Sequence, residues 1–414
     1  MGRPRGLAAA LAAAALLAGC STPGVSTPTT SAAPPGASAP RGGDPSAGAT
    51  PEPRLAPDGR PFVVAEVARL DEPWAMAFLP GTSLLAITER PGRLWLRDQD
   101  AGSLTAVAGL PAVVAAGQGG LGDVVPGPGF ETDQTLYLSW VEQGDGGSGA
   151  VVGRARLTTG DTPRLEGLTR IWQQTPKQSG SGHFSHRLAF SPDGRYLFVS
   201  SGDRQAMEPA QDLGNTLGTI VRLTPDGDPA PGNPFADRGS PSDQIWSHGH
   251  RNPLGLAFDA QGRLWSSEMG PQGGDEINLI ERAGNYGWPR VSNGSHYGGG
   301  EIPDHRDGDG FTAPAVWWNP SVSPGSLMIY SGSQFPQWQG DAFVGALSGR
   351  ALIRVDLDGT RATKGDQWDM GQRIREVEQG PDGSIWLLED APGGRLLQVT
   401  APWSLAPDGA TPRP

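Results

Sequence analysis

The chain has a single cysteine, Cys20, among its 414 residues. One cysteine cannot form a disulfide within the chain, and it cannot supply the several thiolates of a structural zinc site. The fold must therefore be stabilised without covalent cross-links and without thiolate metal centres.

Positive charge is also scarce, because 32 Lys and Arg residues stand against 44 Asp and Glu, which gives a formal net charge of −12. A protein that binds nucleic acid needs a basic surface to contact phosphates. This composition excludes that class of function. An anionic ligand would require a local group of arginines that acts against the overall negative field.

Glycine and proline are abundant instead, with 62 and 40 residues. Both residue types interrupt helices and form tight turns, so this content argues against an all-helical bundle. Hydrophobic residues make up 36% of the chain, and together with glycine they reach the usual apolar share of a globular protein. The chain can therefore bury a core, and its 13 tryptophans favour a folded body.

The cysteine lies at the end of a secretion signal. Arg3 and Arg5 precede an apolar run, residues 7–18, which is too short to span a membrane. The ending Leu-Ala-Gly-Cys20 resembles the bacterial lipoprotein signal, in which the cysteine is lipidated after cleavage. An ordinary signal peptide with a chance cysteine is the alternative. We predict a signal peptide over residues 1–19 and an exported lipoprotein on the periplasmic or cell-surface face of a membrane.

Composition divides the rest of the chain into three parts. Residues 20–55 consist almost entirely of Ser, Thr, Pro, Gly and Ala after the cysteine, which cannot bury enough apolar surface to become ordered. We predict a disordered tether there, a folded domain over residues 56–402, and a proline-rich tail over residues 403–414. The membrane would be contacted through the lipid only.

The predicted domain contains six repeats. In each, a turn-forming stretch precedes a short apolar strand with a polar end, which is typical of a β-hairpin. The repeats begin at Phe78, Phe130, Phe190, Phe258, Gln339 and Gly380. Their spacing is about 60 residues, longer than a WD40 blade of ~40–45 residues, which leaves room for long loops. We predict an all-β, six-bladed propeller with a site at one end of its central channel; a β-sandwich array is the alternative.

Histidine is confined to residues 183–305. His183 follows a Gly-Ser-Gly loop before the strand of the third repeat, a position that suits a general base titrating near neutrality. A loop histidine bonded to the backbone is the alternative. In an extended segment, His183 and His186 would point to opposite faces, so only one could address the channel. His248 and His250 have no third ligand at a zinc-like spacing.

Four further segments contain candidate ligand groups. Arg251 and Asn252 would present a guanidinium and an amide at the start of a strand. The segment from residue 268 to 278 combines main-chain carbonyls with carboxylates, which suits calcium. Arg373 and Arg375 would share one face of a strand, where they repel unless an anion lies there; a solvated edge is the alternative. Gln118 begins a glycine-rich turn that lacks the features of a nucleotide loop.

The order of these motifs carries more information than any one of them. The motifs are Gln-Gly-Gly-Leu from residue 118, His-x-x-x-Arg-Leu from 183, Gly-Asp-Arg from 202, His-Arg-Asn-Pro from 250, Gly-Pro-x-Gly-Gly-Asp-Glu-Ile-Asn from 270, Asn-Tyr-Gly-Trp-Pro from 285 and Arg-x-Arg-Glu from 373. Their order resembles the soluble glucose/sorbosone dehydrogenases that depend on pyrroloquinoline quinone (PQQ), and within them the aldose sugar dehydrogenase branch. The resemblance covers residues 62–397.

The resemblance implies a six-bladed propeller that oxidises aldoses at the C1 hydroxyl to lactones, with hydride passing to PQQ. His183 would be the general base, and Arg251 would act beside the quinone oxygens. The two arginines after residue 372 would face the PQQ carboxylates. The residues implied to contact PQQ are Gln118, Arg251, Asn252, Ser321, Arg373 and Arg375.

Calcium is the second implied cofactor. The main-chain carbonyls of Gly270 and Pro271 would hold an ion that polarises the quinone carbonyl, and Glu276 and Tyr286 would belong to a second, structural site. One departure is that a lysine used on PQQ by some members does not carry over, because the corresponding segment around Ser348 contains none.

Two other functions fit a propeller of this kind. A binding-only extracytoplasmic propeller would need none of the histidine and arginine side chains singled out above. A calcium-dependent sugar lactonase would place several inward carboxylates and an asparagine around one metal. The implied partners of the dehydrogenase are an aldose and an electron acceptor; the motifs identify neither the acceptor nor an oligomeric state.

Overall fold

The computed structural model describes residue 56 and residues 58–402. The predicted signal peptide, Cys20, tether and tail lie outside these described residues and stay predictions. A search of the described helices finds none with the length and apolar character needed to span a membrane.

The described chain forms six antiparallel four-stranded sheets arranged as the blades of a propeller. Its first strand, β1 (Val63–Leu70), belongs to the sixth blade. From the channel outwards, the first blade contains β2 (Pro73–Phe78), β3 (Leu84–Glu89), β4 (Arg93–Asp98) and β5 (Leu104–Ala106). The second contains β6 (Leu121–Pro126), β7 (Thr135–Gly144), β8 (Gly147–Thr158) and β9 (Arg164–Gln173). The third contains β10 (Ser185–Phe190), β11 (Leu197–Ser201), β12 (Thr219–Leu223) and β13 (Ile245–His248).

The remaining three blades follow the same order. The fourth contains β14 (Pro253–Phe258), β15 (Leu264–Glu268), β17 (Asp275–Leu279) and β19 (Val316–Trp318), and a small accessory sheet pairs β16 (Gln272–Gly273) with β18 (Gly294–Ser295). The fifth contains β20 (Met328–Ile329), β21 (Ala342–Ala346), β22 (Ala351–Asp358) and β23 (Arg361–Asp369). The sixth contains β24 (Ile374–Gln379), β25 (Ile385–Glu389), β26 (Gly394–Thr400) and β1. The short helices are α1 (Phe130–Asp133) and 3-10 turns at Glu208–Gln211, Ala236–Arg238, Ser242–Gln244 and Pro336–Trp338.

The six predicted repeats are confirmed. Each lies at the turn between the innermost and the second strand of a blade, as Phe78 does between β2 and β3 and Gly380 between β24 and β25. The ring is closed by β1, which pairs antiparallel with β26 at the outer edge of the last blade. The first and last strands of the described domain thus complete one sheet, so the ring does not open between first and last blade.

The core is divided among the blade interfaces. A separate cluster of buried apolar side chains lies between each pair of neighbouring blades. The second strand of each blade is packed on both faces, so that β11, β15, β21 and β25 are buried at every position. Such strands contain small polar residues as well as apolar ones, as Ser200 and Ser201 in β11 show, because no face of the strand meets bulk water.

The innermost strands are irregular at one end of the channel. In β2, β6, β10, β14 and β24 the pairing register with the second strand shifts near the start of the strand. A bulge of this kind redirects side chains that would otherwise alternate between two faces. The residues at these irregularities are Trp74, Gly122, Asp123, His186, Arg187, Leu254 and Arg375.

Arg187 lies buried in the channel and contacts the other five blades. Its partners are the Trp74 ring (4.0 Å from Cζ to the centroid), Asp123 Oδ1 (3.4 Å), the Leu254 carbonyl (2.7 Å), the Gly325 carbonyl (2.8 Å) and Glu376 Oε2. Burial raises the pKa of Asp123 and of Glu376, and the positive charge of Arg187 opposes that shift. The guanidinium therefore compensates two carboxylates that water cannot reach.

We predict that Arg187→Met destabilises the protein by about 3–5 kcal/mol, because it leaves buried carboxylates without their counter-ion. Urea unfolding followed by tryptophan fluorescence would measure the loss. Arg361→Met is the matched control, since Arg361 and its partner Asp358 are both 80% exposed and an exposed pair contributes little. Equal stability of the two variants would contradict a central role for Arg187.

Candidate active site

A cavity of about 380 Å³ opens at one end of the channel, and residues from all six blades line it. Every innermost strand begins at this end and every second strand ends there, so the loops converge. The bulge residues Trp74, His186, Leu254 and Arg375 all line the cavity. Of the residues predicted to contact PQQ, Gln118, Arg373 and Arg375 line it.

His186 is a packed side chain at this cavity. Its ring stacks on Trp74, with centroids 5.1 Å apart and planes 8° from parallel, and its Nδ1 is 2.8 Å from Ser139 Oγ. A Cβ at Gly122 would lie 2.0 Å from the His186 ring, so only glycine fits there. Burial, with the charge of Arg187 added, lowers the pKa of His186 to about 3. The ring is therefore neutral and held in place.

The segment that carries both histidines departs from the regular extended backbone that was expected, although β10 begins within it at Ser185. His183, Ser185 and His186 have φ values of 49°, 58° and 57°, in the left-handed region. The simple alternation of faces therefore does not apply. The two rings are nevertheless separated, because His186 packs on Trp74 whereas His183 turns towards Asp203.

His183 and Asp203 form a buried hydrogen-bonded pair. The His183 Nδ1 is 2.6 Å from Asp203 Oδ1, and Asp203 also accepts hydrogen bonds from Trp288 Nε1 (2.8 Å) and the Gln205 amide (2.8 Å). Burial lowers the pKa of His183 below 6.5 and the Arg251 charge adds to this, while Asp203 partly offsets it. Burial disfavours ionisation of Asp203, yet the bonds from His183 and Trp288 hold its pKa below the ordinary value. A neutral ring that donates from Nδ1 keeps its lone pair at Nε2.

Two side chains hold the loop of His183. Gln118 Oε1 accepts a hydrogen bond from the His183 amide at 2.7 Å. Arg204 donates to the carbonyls of Gly180 (2.8 Å) and Gly182 (2.7 Å), and its Cζ lies 3.7 Å from the centroid of the Phe184 ring. Asp203 and Arg204 both belong to the Gly-Asp-Arg motif, whose spacing alone indicates a role for neither.

Arg251 and Asn252 lie beside this cavity and do not line it. Arg251 Nη1 donates to the carbonyls of Met269 (3.0 Å) and Gly270 (2.6 Å), and its Nη2 donates to the Tyr297 hydroxyl at 3.3 Å. Asn252 Oδ1 accepts from a serine hydroxyl at 3.0 Å. Met269 lines both the channel cavity and a smaller neighbouring pocket that Arg251 also lines, so the two spaces adjoin. Tyr297 is 73% exposed and was not predicted as a site residue.

The four predicted calcium residues meet in the smaller pocket. It is lined by Gly270, Pro271, Glu276 and Tyr286, together with Glu268. The Tyr286 phenol is engaged, because it donates to a main-chain carbonyl at 2.5 Å and accepts an amide at 2.8 Å. The Gly270 carbonyl already accepts a hydrogen bond from a guanidinium.

A buried acidic pair lies at the same pocket. Glu268 and Glu276 are paired across β15 and β17. Burial, with the negative charge of Glu268, raises the pKa of Glu276 to about 8. Asn278 donates to Glu276 at 3.0 Å, and its own Oδ1 is buried without a hydrogen-bond partner. Across residue 56 and residues 58–402, no cluster of three or more His, Cys, Asp or Glu side chains has a metal-binding arrangement.

Ser321 lies near the mouth of the cavity, but its side chain does not line the cavity and contacts a carboxylate instead. Its hydroxyl donates to Asp275 Oδ2 at 2.5 Å, and the amide of Ser323 donates to the same oxygen at 2.6 Å. Asp275 Oδ1 accepts the Gly270 amide at 2.9 Å. Asp275 thus joins the loop of the predicted calcium carbonyls to the loop of Ser321, and Ser323 is the one that lines the cavity.

Arg373 and Arg375 both contact Asp390, a carboxylate of the chain itself, and their predicted contact with a ligand carboxylate stays a prediction. Arg373 contacts Asp390 Oδ2 at 2.7–2.8 Å, and Arg375 contacts Oδ1 at 3.0–3.2 Å. All three side chains line the cavity. No local pattern in the sequence indicates this partner, which lies 15 and 17 residues further along the chain.

A family model described as glucose/sorbosone dehydrogenase matches residues 70–398. The chain belongs to the glucose/sorbosone dehydrogenase family. The resemblance drawn from the motifs, and the propeller that it implied, are confirmed. The chain is thus an enzyme of this sugar dehydrogenase family.

Individual relatives agree with this membership. Aldose sugar dehydrogenase YliI of Escherichia coli K12 is 39% identical over 339 residues, which cover 80% of this chain and 91% of that protein. The apo crystal structure of the E. coli soluble enzyme superposes with a TM-score of 0.78, 39% identity and coverage of 82% and 99%. The PQQ-bound aldose sugar dehydrogenase of Streptomyces coelicolor gives a TM-score of 0.69 and 27% identity, with coverage of 84% and 99%.

Proposed function

We propose that this dehydrogenase oxidises aldoses at the C1 hydroxyl to lactones with PQQ as its redox cofactor. One observation carries the proposal: at the channel end, a buried histidine bonded to a carboxylate is held by Gln118, which lines a cavity together with two arginines, although the histidine itself does not line it. The first group suits proton removal from a hydroxyl, and the second suits a carboxylate ligand. The names of the E. coli and S. coelicolor relatives support the substrate class and the cofactor.

The donors at the cavity fit PQQ, which carries three carboxylates. Arg373 and Arg375 reach the cavity from the sixth blade, and Gln118 reaches it from the second. Arginine matches the planar geometry of a carboxylate and can bind it with two parallel hydrogen bonds. The stacked Trp74 and His186 rings also line this cavity and would add aromatic contacts to a bound ring system. These residues would hold the cofactor.

The proton chemistry falls to His183. Its Nε2 lone pair would accept the proton of the C1 hydroxyl, and Asp203 at Nδ1 would stabilise the imidazolium that forms. When bound, PQQ would supply the two-electron acceptor for the hydride from C1. Trp288 and the Gln205 amide keep Asp203 fixed, so the ring orientation survives the change of charge. Arg251 would stabilise negative charge that develops beside it.

Calcium is part of the proposal, and the fit is clearest at Glu276. The acidic side chains of Glu268 and Glu276 are buried side by side there, and the Oδ1 of Asn278 has no hydrogen-bond partner. A divalent cation would compensate the negative charge of the two acidic groups. At the other predicted site, calcium would replace a hydrogen bond from Arg251 to the Gly270 carbonyl. Oxygen donors of this kind favour calcium over magnesium, which requires a stricter octahedral geometry.

Two alternatives fit less well. A binding-only propeller gives no reason for the buried His183–Asp203 pair. A lactonase would present carboxylates and an asparagine to one metal at the channel mouth. The two carboxylates of the described lining, Glu72 and Asp390, are instead paired with Arg90, Arg373 and Arg375. We also propose that the enzyme is an exported lipoprotein anchored at Cys20, from the signal that ends at this cysteine.

His183→Gln is expected to reduce the single-turnover rate of PQQ reduction by an aldose by roughly 10²- to 10⁴-fold while PQQ still binds. Because burial lowers the pKa of His183, the wild-type rate should fall to half of its plateau only at a pH below 6.5, the ordinary pKa of histidine. Stopped-flow absorbance over a pH series would measure both effects. A slow His186→Gln enzyme beside a fast His183→Gln enzyme would reverse the assignment.

Calcium is expected to raise the melting temperature of the wild type. At one hundred times its Kd, the stabilisation is about 2.7 kcal/mol. Glu276→Gln should remove this response, and it should stabilise the calcium-free protein because it removes a carboxyl whose ionisation is opposed by burial and by the charge of Glu268. Calorimetry with calcium, magnesium and chelator would test this, with the exposed Glu166→Gln as control. An equal calcium response in wild type and Glu276→Gln would contradict the assignment.

A further inference from the structure

We propose that Asp390 is a positioning residue, which holds the Arg373 and Arg375 guanidiniums side by side so that their unused edges face a carboxylate of the ligand. The inference rests on the proposed PQQ function and deepens it. It assigns a role to a side chain that belongs to neither the histidine pair nor the calcium pocket.

Arg373 and Arg375 each donate to a different carboxylate oxygen of Asp390. Arg373 contacts Asp390 Oδ2 through Nε (2.8 Å) and Nη2 (2.7 Å). Arg375 contacts Oδ1 through Nε (3.2 Å) and Nη2 (3.0 Å). Each guanidinium therefore gives the same edge to its own oxygen. The Nη1 group of each has no hydrogen bond to the residues that the structure describes, and it remains able to bind an anion.

The backbone also holds Arg373, Arg375 and Asp390, here called the trio, in place. The Asp390 amide donates to the Arg373 carbonyl at 2.9 Å, directly beyond the last pair of β24 and β25. Arg375 lies at the bulge between Ile374 and Glu376. Because the bulge redirects Arg375, it reaches the same carboxylate as Arg373. The arrangement is built into the strand ends and does not depend on side-chain rotamers alone.

Asp390 and the two arginines also stabilise each other's charged forms. Arg375 is only 13% exposed and lies near the charges of both Arg187 and Arg373. Burial and these two charges lower the pKa of Arg375, and Asp390 opposes them. Burial opposes ionisation of Asp390, but the two arginines hold its pKa below the ordinary value. The trio therefore has a net charge of +1, and Asp390 is what lets two guanidiniums lie together at the cavity before any ligand arrives.

Removal of Asp390 has two opposing effects. It adds one positive charge, which by Coulomb attraction alone would strengthen anion binding. It also frees Arg373, which is 45% exposed and can turn into solvent away from its neighbour. To bind a ligand carboxylate, the two guanidiniums would then have to come together without the Asp390 carboxylate between them, and their mutual repulsion would oppose binding. We infer that the loss of position outweighs the gain in charge, because solvent screens the added charge at the open mouth of the cavity.

The first experiment needs no PQQ. In ¹⁵N spectra of the calcium-loaded apoprotein, the Nε–H signals of Arg373 and Arg375 should exchange slowly in wild type and rapidly in Asp390→Asn. Asp358→Asn is the matched control, because its arginine partner is on an exposed hairpin. Slow exchange in Asp390→Asn would overturn the positioning role whether or not PQQ binds.

The second experiment is titration of the same proteins with PQQ, followed by quenching of tryptophan fluorescence over a range of salt concentrations. Asp390→Asn should bind PQQ about tenfold more weakly and with a steeper salt dependence, because its site has one more positive charge. Asp358→Asn should match wild type. Equal or tighter binding by Asp390→Asn would overturn the inference, as would weaker binding with an unchanged salt dependence, which indicates a merely structural effect. If wild type bound no PQQ, the proposed function would fail, while the exchange measurement would still decide the role of Asp390.

Discussion

The guanidinium of Arg187 balances the negative charge that the innermost strands bring into the channel. It contacts Asp123 and Glu376 as well as main-chain carbonyls of the fourth and fifth blades. The Trp74 ring lies against the same guanidinium, and the His186 ring stacks on Trp74. Interfaces between neighbouring blades are apolar and local, whereas this interaction joins all six blades at the axis. Trp74, which lines the cavity at the channel end, lies directly against this guanidinium.

The site is built from irregularities in otherwise regular strands. A propeller with perfect alternation would turn half of the side chains of each innermost strand away from the channel. The register shifts at Trp74, His186, Leu254 and Arg375 turn these residues towards the cavity instead. The left-handed backbone at His183 has a similar effect, since it directs the ring to Asp203. Local strain and bulges are thus concentrated where the chemistry is proposed.

The sequence allowed the blades to be predicted because their turns are local signals. A turn such as Pro-Asp-Gly before an apolar run can be recognised within ten residues, and all six such turns lie where they were expected. Closure by β1 could not be predicted in this way, because its pairing with β26 joins segments more than 300 residues apart. The backbone around His183 and His186 was also misjudged, because an extended conformation was assumed where φ is positive. The partners Asp203 and Asp390 depend on contacts between distant segments, which spacing alone does not encode.

The central claim is that the cavity at the channel end binds PQQ and oxidises aldoses with His183 as the base. The most direct measurement adds PQQ and calcium to the purified apoprotein and follows the reduction of an artificial electron acceptor dye with a panel of aldoses. We predict dye reduction that requires PQQ, calcium and an aldose together, with the lactone as product. Absence of dye reduction with every aldose, in a sample shown to bind PQQ, would contradict the claim.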